Sequence, residues 1–363
     1  MKKSFRKIPG SIVAPRGFLA GGVFCDIKRL GTGKGSSKGR KRDLALIVSE
    51  VPATVAGMFT TNQICAAPVK VCVERVKKGV AQVIVVNSGN ANACTGKQGL
   101  KDARMMADIA AKALGLLGKH ILVGSTGRIG VALPIANVKR GILEAARHLG
   151  RSIKHAGHAA EAIMTSDTRS KQIAVEFKLG GKTVRMGGIC KGAGMIQPGM
   201  SGTGKRPAAI PNGGRPQGLH ATMLCFITTD AAIAQKTLQT ALNEAVAQSF
   251  NRITVDGDMS TNDTVLVLAN GLAGNRKIGS RKSEVGNFQA ALNHVCLELA
   301  KMIVRDGEGV HRVVTVRVNG AKSFADADAA ARAVANSALV KTSWHGGDPN
   351  WGRIIDALGY SSA

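Results

Sequence analysis

Three stretches in the first half of the chain combine apolar runs with polar, turn-forming residues. LALIVSEVPATVAGMFTT, at 44–61, predicts apolar strands separated by a turn at Pro52. AQVIVVNSGNANACTG, at 81–96, predicts a strand that is buried on both faces and runs into a loop rich in Asn and Gly. ILVGSTGRIG, at 121–130, repeats this order, so a further strand should end in a Gly-rich turn.

Helical periodicity appears between and after these strands. From Leu100 to Leu117 apolar residues recur every four positions and predict an amphipathic helix, with a stripe formed by Met105, Ile109, Ala113 and Leu117. Further along, strands are predicted at 264–269 and 312–318, and helices at 235–249, 287–304 and 324–337. The fold class is therefore α/β (α+β), with helices packed on mixed β-sheets.

Two segments interrupt the pattern. GTGKGSSKGRKR, at 31–42, has no apolar residue and five basic ones, which predicts a solvated loop. SGTGKRPAAIPNGGRPQGLH, at 201–220, mixes Gly, Pro and Arg and predicts a flexible, exposed segment.

Length and composition bound the class of protein. With 363 residues, 44% of them hydrophobic, the chain can bury a substantial core. No apolar run reaches the roughly 18 residues that a membrane-spanning helix needs, so we expect no membrane partner. The basic start MKKSFRKIPG precedes no apolar segment, so we expect no secretory signal and a cytoplasmic protein. Seven scattered cysteines without a CxxC pair predict buried thiols and no metal site.

The net charge of +27 is concentrated in the front part of the chain. Residues 1–221 hold 36 basic and 10 acidic residues, whereas residues 222–363 hold 14 and 13. Such a surface attracts polyanions, but aromatic residues that could stack on bases make up only 3%. We therefore interpret the lysines as solvated surface charges and do not expect nucleic acid as the partner.

Thr222 stands at a position where a threonine could act as a nucleophile. A threonine hydroxyl is activated when the peptide bond before it is cut, because the residue's own α-amino group can then accept the hydroxyl proton. Such a site asks for a small residue before the threonine and an apolar strand after it, and Ala221 and Met223-Leu224-Cys225-Phe226-Ile227 supply both. Taken alone, this pattern is weak evidence, because a threonine at the start of a buried strand is common.

A set of longer sequence blocks strengthens the interpretation of Thr222 as a nucleophile. KGAGMIQPGM and HATMLCFITTDA are accompanied by NSGNANACTG, STGRIG, AIMTSDTRS, SFNRITVDGDMSTNDTV, RDGEGV and DPNWGR. In this order, over nearly all 363 residues, the chain resembles the ornithine acetyltransferase family, also called glutamate N-acetyltransferases. The resemblance implies an ornithine-acetyltransferase-like fold related to the self-processing aminopeptidases of the DmpA type.

The resemblance also implies a reaction. The chain would cut itself between Ala221 and Thr222, giving an α-chain region 1–221 and a β-chain region 222–363 that stay folded together. Thr222 would then carry an acetyl group from N2-acetylornithine to glutamate in a ping-pong cycle of arginine biosynthesis. No cofactor is implied, although some members accept acetyl-CoA as an acetyl donor, and the paired chains imply a higher oligomer.

Site residues follow from the same blocks. The family places its oxyanion hole at the Thr-Gly of the STG turn, here Thr126 and Gly127. Lys191, in KGAGM, matches a substrate-binding lysine whose cation suits the α-carboxylate shared by both substrates. Thr165 in MTSDT and Glu308 in RDGEG match substrate contacts, and the carboxylate would meet the δ-ammonium that ornithine has and glutamate lacks. Nearby, we predict that three asparagines shape a loop or form turns: Asn87, Asn90 and Asn92.

The chain departs from the family pattern in two places. Twenty residues, 201–220, intervene where family members run from PxM directly into ATML, and they could loop out or prevent self-cleavage. The family also continues past Gly359-Tyr360-Ser361 with an Asn and a terminal Ser/Thr that contact substrate. We therefore expect region 222–363 to be shortened at its C-terminus, without counterparts of those two contacts.

Two other functions remain open from the sequence. The first is a catalytically impaired, unprocessed member that binds polyanions through its basic front part, which the charge asymmetry and the insert motivate. The second is a related self-processing hydrolase or aminopeptidase that uses the same threonine.

Overall fold

A computed structural model of the chain describes residues 5–32, 41–205, 222–279 and 282–363. Its strands are β1 (Phe5–Lys7), β2 (Phe18–Val23), β3 (Leu44–Thr60), β4 (Val80–Asn90), β5 (Ile121–Arg128), β6 (Lys171–Leu179), β7 (Lys182–Lys191), β8 (Met200–Ser201), β9 (Leu224–Thr229) and β10 (Thr264–Ala269). Its α-helices are α1 (Ile27–Thr32), α2 (Ala67–Val76), α3 (Gly96–Leu114), α4 (Ile135–Arg147), α5 (Ile153–Ala162), α6 (Gln235–Ala247), α7 (Lys282–Val304), α8 (Phe324–Asn336), α9 (Ala338–Gly346) and α10 (Trp351–Gly359).

The strands form a single mixed sheet in the order β1-β6-β7-β9-β10-β3-β4-β5, while β2 and β8 also pair with β3. β9 and β10 are parallel, as are β4 and β5, and the other neighbours are antiparallel. β9 lies between β7 and β10, and β10 pairs in turn with β3. The predicted regions 1–221 and 222–363 therefore share one sheet.

Helices cover both faces of this sheet, which confirms the predicted fold class. On β9, Leu224 and Phe226 pack in one core cluster, whereas Cys225 and Ile227 pack in the other. The first cluster includes residues of α2 to α5, and the second includes residues of α6 and α7. Burying an aliphatic side chain stabilises the fold by roughly 1.5–3 kcal/mol, so apolar residues on both faces favour a strand at the centre of the sheet.

Several predicted boundaries are correct and others are wrong. The strand at 264–269 matches β10, and the helices predicted in the rear part match α6, α7 and α8. Pro52 does not end a strand: β3 continues through it, and the register against β4 shifts between Val48 and Ala53. Exposed Glu50 and Pro52 lie in this irregularity, where ladder hydrogen bonds are interrupted.

The predicted apolar stripe of α3 is only partly buried, with Ile109 and Ala113 packed against the core and the other two residues exposed. Met105 is 45% exposed and Leu117, beyond the helix end, is 57% exposed. The buried face consists of small residues and one methionine, at Gly99, Asp102, Ala103, Met106, Ala107, Ala110 and Ala111. Small side chains let α3 approach its neighbours closely, and this face carries a weaker hydrophobic signal than the predicted stripe.

The structure describes only parts of the predicted basic loop and of the predicted insert. Gly31 and Thr32 of the predicted basic loop belong to α1, and residues 33–40 lie outside the described residues. Met200, just before the predicted insert, pairs with Thr60, Ser201 at the start of the insert pairs with Phe59, and a turn follows to Lys205. Residues 206–221, including Ala221, lie outside the described residues.

Candidate active site

Thr222 lies at the entrance to the central strand β9. It is 2% exposed, and its Oγ1 lies 2.8 Å from the Oγ of Ser260. Its carbonyl oxygen accepts a hydrogen bond of 2.6 Å from Lys191 Nζ. Because Lys191 is the last residue of β7 and pairs with Leu224, the antiparallel ladder brings the lysine to the start of β9.

Lys191 connects the candidate nucleophile to the candidate oxyanion hole. Its ammonium group also donates to Thr126 Oγ1 at 3.3 Å, and Asp167 is the acidic side chain with an oxygen at 4.0 Å. Burial lowers the pKa of Lys191, an effect that the carboxylate of Asp167 opposes. A buried ammonium held mainly by neutral oxygens retains a strong attraction for an anion that enters the site.

Thr126 and Gly127 lie within β5, which continues through the predicted Gly-rich turn to Arg128. They pair with Ser88 and Gly89 of the parallel strand β4. Gly127 has a φ of 130°, and a Cβ built there would come within 2.3 Å of the Gly89 carbonyl carbon. A side chain is therefore excluded at this position by both backbone conformation and space.

The neighbouring asparagines act as structural groups of this loop. Asn87 Nδ2 donates to the Asn90 carbonyl at 2.8 Å, and Asn87 Oδ1 accepts from Ser125. Asn90 Nδ2 bridges two carbonyls of the 131–132 segment, while Asn90 Oδ1 accepts from the Asn92 amide. All three are buried, and these bonds hold the chain that follows β4 against the end of β5.

Thr165 and Glu308 join the site through loops. The Thr165 amide donates to Asp167 Oδ2 at 3.0 Å, and within the described residues its buried Oγ1 has no hydrogen-bond partner. The Glu308 amide donates to Ala193 O at 2.8 Å, and its carboxylate lies so close to Gly194 that a Cβ there would meet its Cδ at 2.7 Å. Both loops thus border the segment that follows Lys191.

Two residues of the site were missed by reasoning from the sequence. Ser260 Oγ accepts from the Asn262 amide at 3.0 Å as well as contacting Thr222, and Asp263 Oδ1 accepts from the Met223 amide at 3.0 Å. Burial raises the pKa of Asp263 to about 8, and in the described part of the chain its Oδ2 has no partner. Both belong to the block SFNRITVDGDMSTNDTV, which carried the family resemblance without indicating which residues meet Thr222.

Metal ligands, cysteines and membrane-spanning helices are further features that could bear on function. Across the ranges that the structure describes, no group of three or more His, Cys, Asp or Glu side chains could hold a metal ion. All seven cysteines are free, and burial raises the pKa of Cys190, Cys225 and Cys296. Within the same described ranges, no helix is both long and apolar enough to cross a membrane.

Comparison with known proteins covers nearly the whole chain. A sequence model of the ArgJ family matches residues 28–363. The arginine biosynthesis bifunctional protein ArgJ of Symbiobacterium thermophilum is 49% identical over 356 residues, or 98% of this chain and 81% of that protein. The glutamate N-acetyltransferase of Methanocaldococcus jannaschii is 46% identical over 360 residues, or 99% of this chain and 80% of that protein.

A solved structure agrees with these relatives. The crystal structure of the arginine biosynthesis bifunctional protein ArgJ of Bacillus halodurans aligns with a TM-score of 0.50 and 39% identity, over 54% of this chain and 98% of that one. The fold and the relatives define an acyltransferase whose substrates are small molecules. The chain belongs to the ArgJ family, which confirms the resemblance seen in the sequence.

Proposed function

We propose that this chain transfers an acetyl group from N2-acetylornithine to glutamate through an acetyl-Thr222 intermediate, after it cuts itself before Thr222. The observation that carries the proposal is the bridge made by Lys191 Nζ between Thr222 O and Thr126 Oγ1. This bridge joins three residues that the family pattern singles out independently, although they lie far apart in the sequence. The named relatives favour neither polyanion binding nor hydrolysis as the main function.

Self-cleavage would begin with attack of Thr222 Oγ1 on the carbonyl carbon of Ala221. The C–N bond breaks, the amine nitrogen takes up the hydroxyl proton, and an ester links Ala221 to Thr222 Oγ1. Water then hydrolyses the ester, which leaves a carboxylate on Ala221 and a free α-amino group on Thr222. β9 would remain hydrogen-bonded to β7, and β10 to β3, so strand pairing across the cut would keep the two chains together.

Acetyl transfer would use the same hydroxyl twice. Thr222 Oγ1 attacks the acetyl carbonyl, its proton passes through the α-amino group to the leaving amine, and ornithine departs. The α-amine of glutamate then attacks the acetyl ester and restores the threonine. Because Lys191 donates to Thr126 Oγ1, the Thr126 hydroxyl hydrogen is free to donate to the oxyanion that forms in each step.

Substrate recognition would depend on two charged side chains, Lys191 and Glu308. The ammonium of Lys191 suits the α-carboxylate that donor and acceptor share, and the unpartnered hydroxyl of Thr165 offers a further hydrogen bond. Glu308, beside Gly194, would pair with the δ-ammonium of the ornithine part alone. We include acetyl-CoA as a second donor in the proposal, because several relatives are named bifunctional.

The test begins with the intact mass of purified wild type beside Thr222→Ala and the exposed control Thr240→Ala. We expect two fragments that break at Ala221/Thr222 in the wild type and control, and one chain of 37.6 kDa in Thr222→Ala. Incubation with N2-acetylornithine should then add one acetyl group to the fragment that begins with Thr222, and glutamate should remove it. An intact wild-type chain without acetyl transfer would refute the proposal.

A further inference from the structure

A second buried lysine, Lys171, lies beside the site and has no part in the chemistry described above. It opens β6, is 1% exposed, and pairs across the strands with Cys190, the neighbour of Lys191. Its ammonium group donates to Asp167 Oδ1 at 2.6 Å and to Asp306 Oδ2 at 2.5 Å. Both carboxylate side chains are as buried as the lysine, and the exposed Arg169 also reaches Asp306 Oδ1, at 3.6 Å, from the outside of this ionic cluster.

Asp167 connects this cluster to two predicted substrate-binding residues. Its Oδ2 accepts the amide of Thr165 at 3.0 Å, and its Oδ1 accepts the amide of Gly192, which follows Lys191, at 2.7 Å. Rotation of this carboxylate would therefore move the Thr165 loop and the end of β7 together.

Asp306 connects the cluster to the third predicted substrate-binding residue, Glu308. It accepts the amide of Thr168 at 3.1 Å and the Thr168 hydroxyl, which ties the end of α7 to the loop before β6. Glu308 follows two residues later, with its own amide bonded to Ala193 O. The position of the Glu308 carboxylate relative to Lys191 therefore depends on where Asp306 is held.

The charges favour this arrangement over an accidental burial. Burial alone would raise the pKa of Asp167, but Lys191 and Lys171 together lower it to about 2. Burial also opposes ionisation of Asp306, and its hydrogen bonds from Lys171 and Thr168 bring its pKa below the usual value. Two buried carboxylates thus face two buried ammonium groups and the guanidinium of Arg169, and these attractions offset much of the desolvation penalty.

We propose that Lys171, Asp167 and Asp306 form an ionic connector that positions Thr165, Lys191 and Glu308 relative to one another across the predicted cleavage. Lys171 and Asp167 precede Thr222 and Asp306 follows it, so the connector would hold the two chains in register after processing. The substrate roles of the three positioned residues rest on the proposed function. The three connector residues are positioning residues, since each acts through a neighbour.

The connector predicts different effects for its two ends. In Asp306→Asn, Lys171 keeps Asp167, which still anchors Thr165 and Gly192, whereas the Glu308 loop loses the charged tie of Asp306 to Lys171. We expect kcat/KM for N2-acetylornithine to fall about tenfold and kcat/KM for glutamate to change less than twofold, because misplacement of a binding group is felt by the ligand that uses it. In Lys171→Met both values should fall, because Asp167 then draws Lys191 away from Thr222.

The experiment compares Asp306→Asn, Glu308→Gln and the double variant in processed enzyme, with Glu176→Gln as the control for an exposed ion pair. If Asp306 acts through Glu308, the double variant should be no worse than Glu308→Gln for the donor. Losses that simply multiply, or equal losses for donor and acceptor, would overturn the connector.

Hydrogen exchange separates this inference from the proposed function. Lys171→Met, and more weakly Asp306→Asn, should speed amide exchange together at 165–168, at 192–194 and at 306–308, while Glu176→Gln leaves all three unchanged. If wild type transfers no acetyl group but these segments respond together, the proposed function fails and the connector stands. If they respond independently, the connector fails whatever the activity.

Discussion

The surroundings of two neighbouring buried lysines, Lys171 and Lys191, differ in one respect. Lys171 is bonded to two carboxylates at 2.6 and 2.5 Å, which leaves its charge fully compensated. Lys191 is bonded to the neutral oxygens of Thr222 and Thr126, and its nearest carboxylate oxygen, on Asp167, is 4.0 Å away. Both ammonium groups lie at the same end of the β6–β7 pair.

This difference separates a structural charge from one that is available for binding. An ammonium between two carboxylates gains little from a third anion, whereas one held by neutral dipoles in a dry site gains much. Residue type and burial are the same in both cases, so the neighbours alone decide the role. Under the proposed function, Lys191 would bind substrate and Lys171 would position its neighbours.

Removal of the Lys191 charge is the strongest way to test this comparison. In Lys191→Met we expect kcat/KM for both substrates to fall by roughly 10²- to 10³-fold, because the cation that pairs with their shared carboxylate and supports Thr126 is lost. Steady-state acetyl transfer, with exposed Lys178→Met as the control, measures the effect. A variant that retains transfer within a few-fold of the wild type would contradict the assignment.

The protonation state of Asp263 bears on the comparison of Lys171 with Lys191, because an ionised Asp263 would add a nearby negative charge to the surroundings of Lys191. The pKa of Asp263 is raised from 3.8 to about 8 in the folded protein. Its burial therefore costs nothing at pH 3, where both states bind the proton, and costs progressively more as the pH rises from about 4 to about 8.

Asp263→Asn should consequently gain free energy of unfolding relative to wild type between pH 5 and pH 8, by an amount on the order of a few kcal/mol. The amide can accept from the Met223 N–H as the carboxyl does. Urea unfolding at both pH values measures the gain, beside Asp328→Asn, which removes an accessible carboxylate. A difference that does not depend on pH would show that Asp263 is ionised throughout.

Removal of the Ser260 hydroxyl should have the smallest effect. Ser260→Ala deletes one hydrogen bond to Thr222 Oγ1, worth about 1 kcal/mol, so we expect kcat to fall roughly fivefold with KM nearly unchanged. The exposed Ser152→Ala serves as the control. A rise in KM with kcat unchanged would instead place Ser260 in ground-state binding.

Hydrophobic patterns predicted strands correctly where consecutive residues are buried on both faces of the sheet. They failed where strand formation depends on a neighbouring strand. Residues 312–318, RVVTVRV, are predicted to form a strand, yet Val313 and Val314 are 51% and 43% exposed and the segment forms no strand in the structure as described. An alternating segment becomes a strand only when another strand accepts its backbone hydrogen bonds. The equally short β10 pairs on both sides.

The sequence by itself determined the family, the α/β class, and the strand that Thr222 enters, because these depend on residue types in a fixed order and on local burial. Only the tertiary structure decided that Lys191 meets both Thr222 and Thr126, that Ser260 and Asp263 join them, and that Lys171 pairs with Asp306. These contacts link residues up to 135 positions apart. They follow from the order of strands in the sheet, which hydrophobic periodicity does not specify.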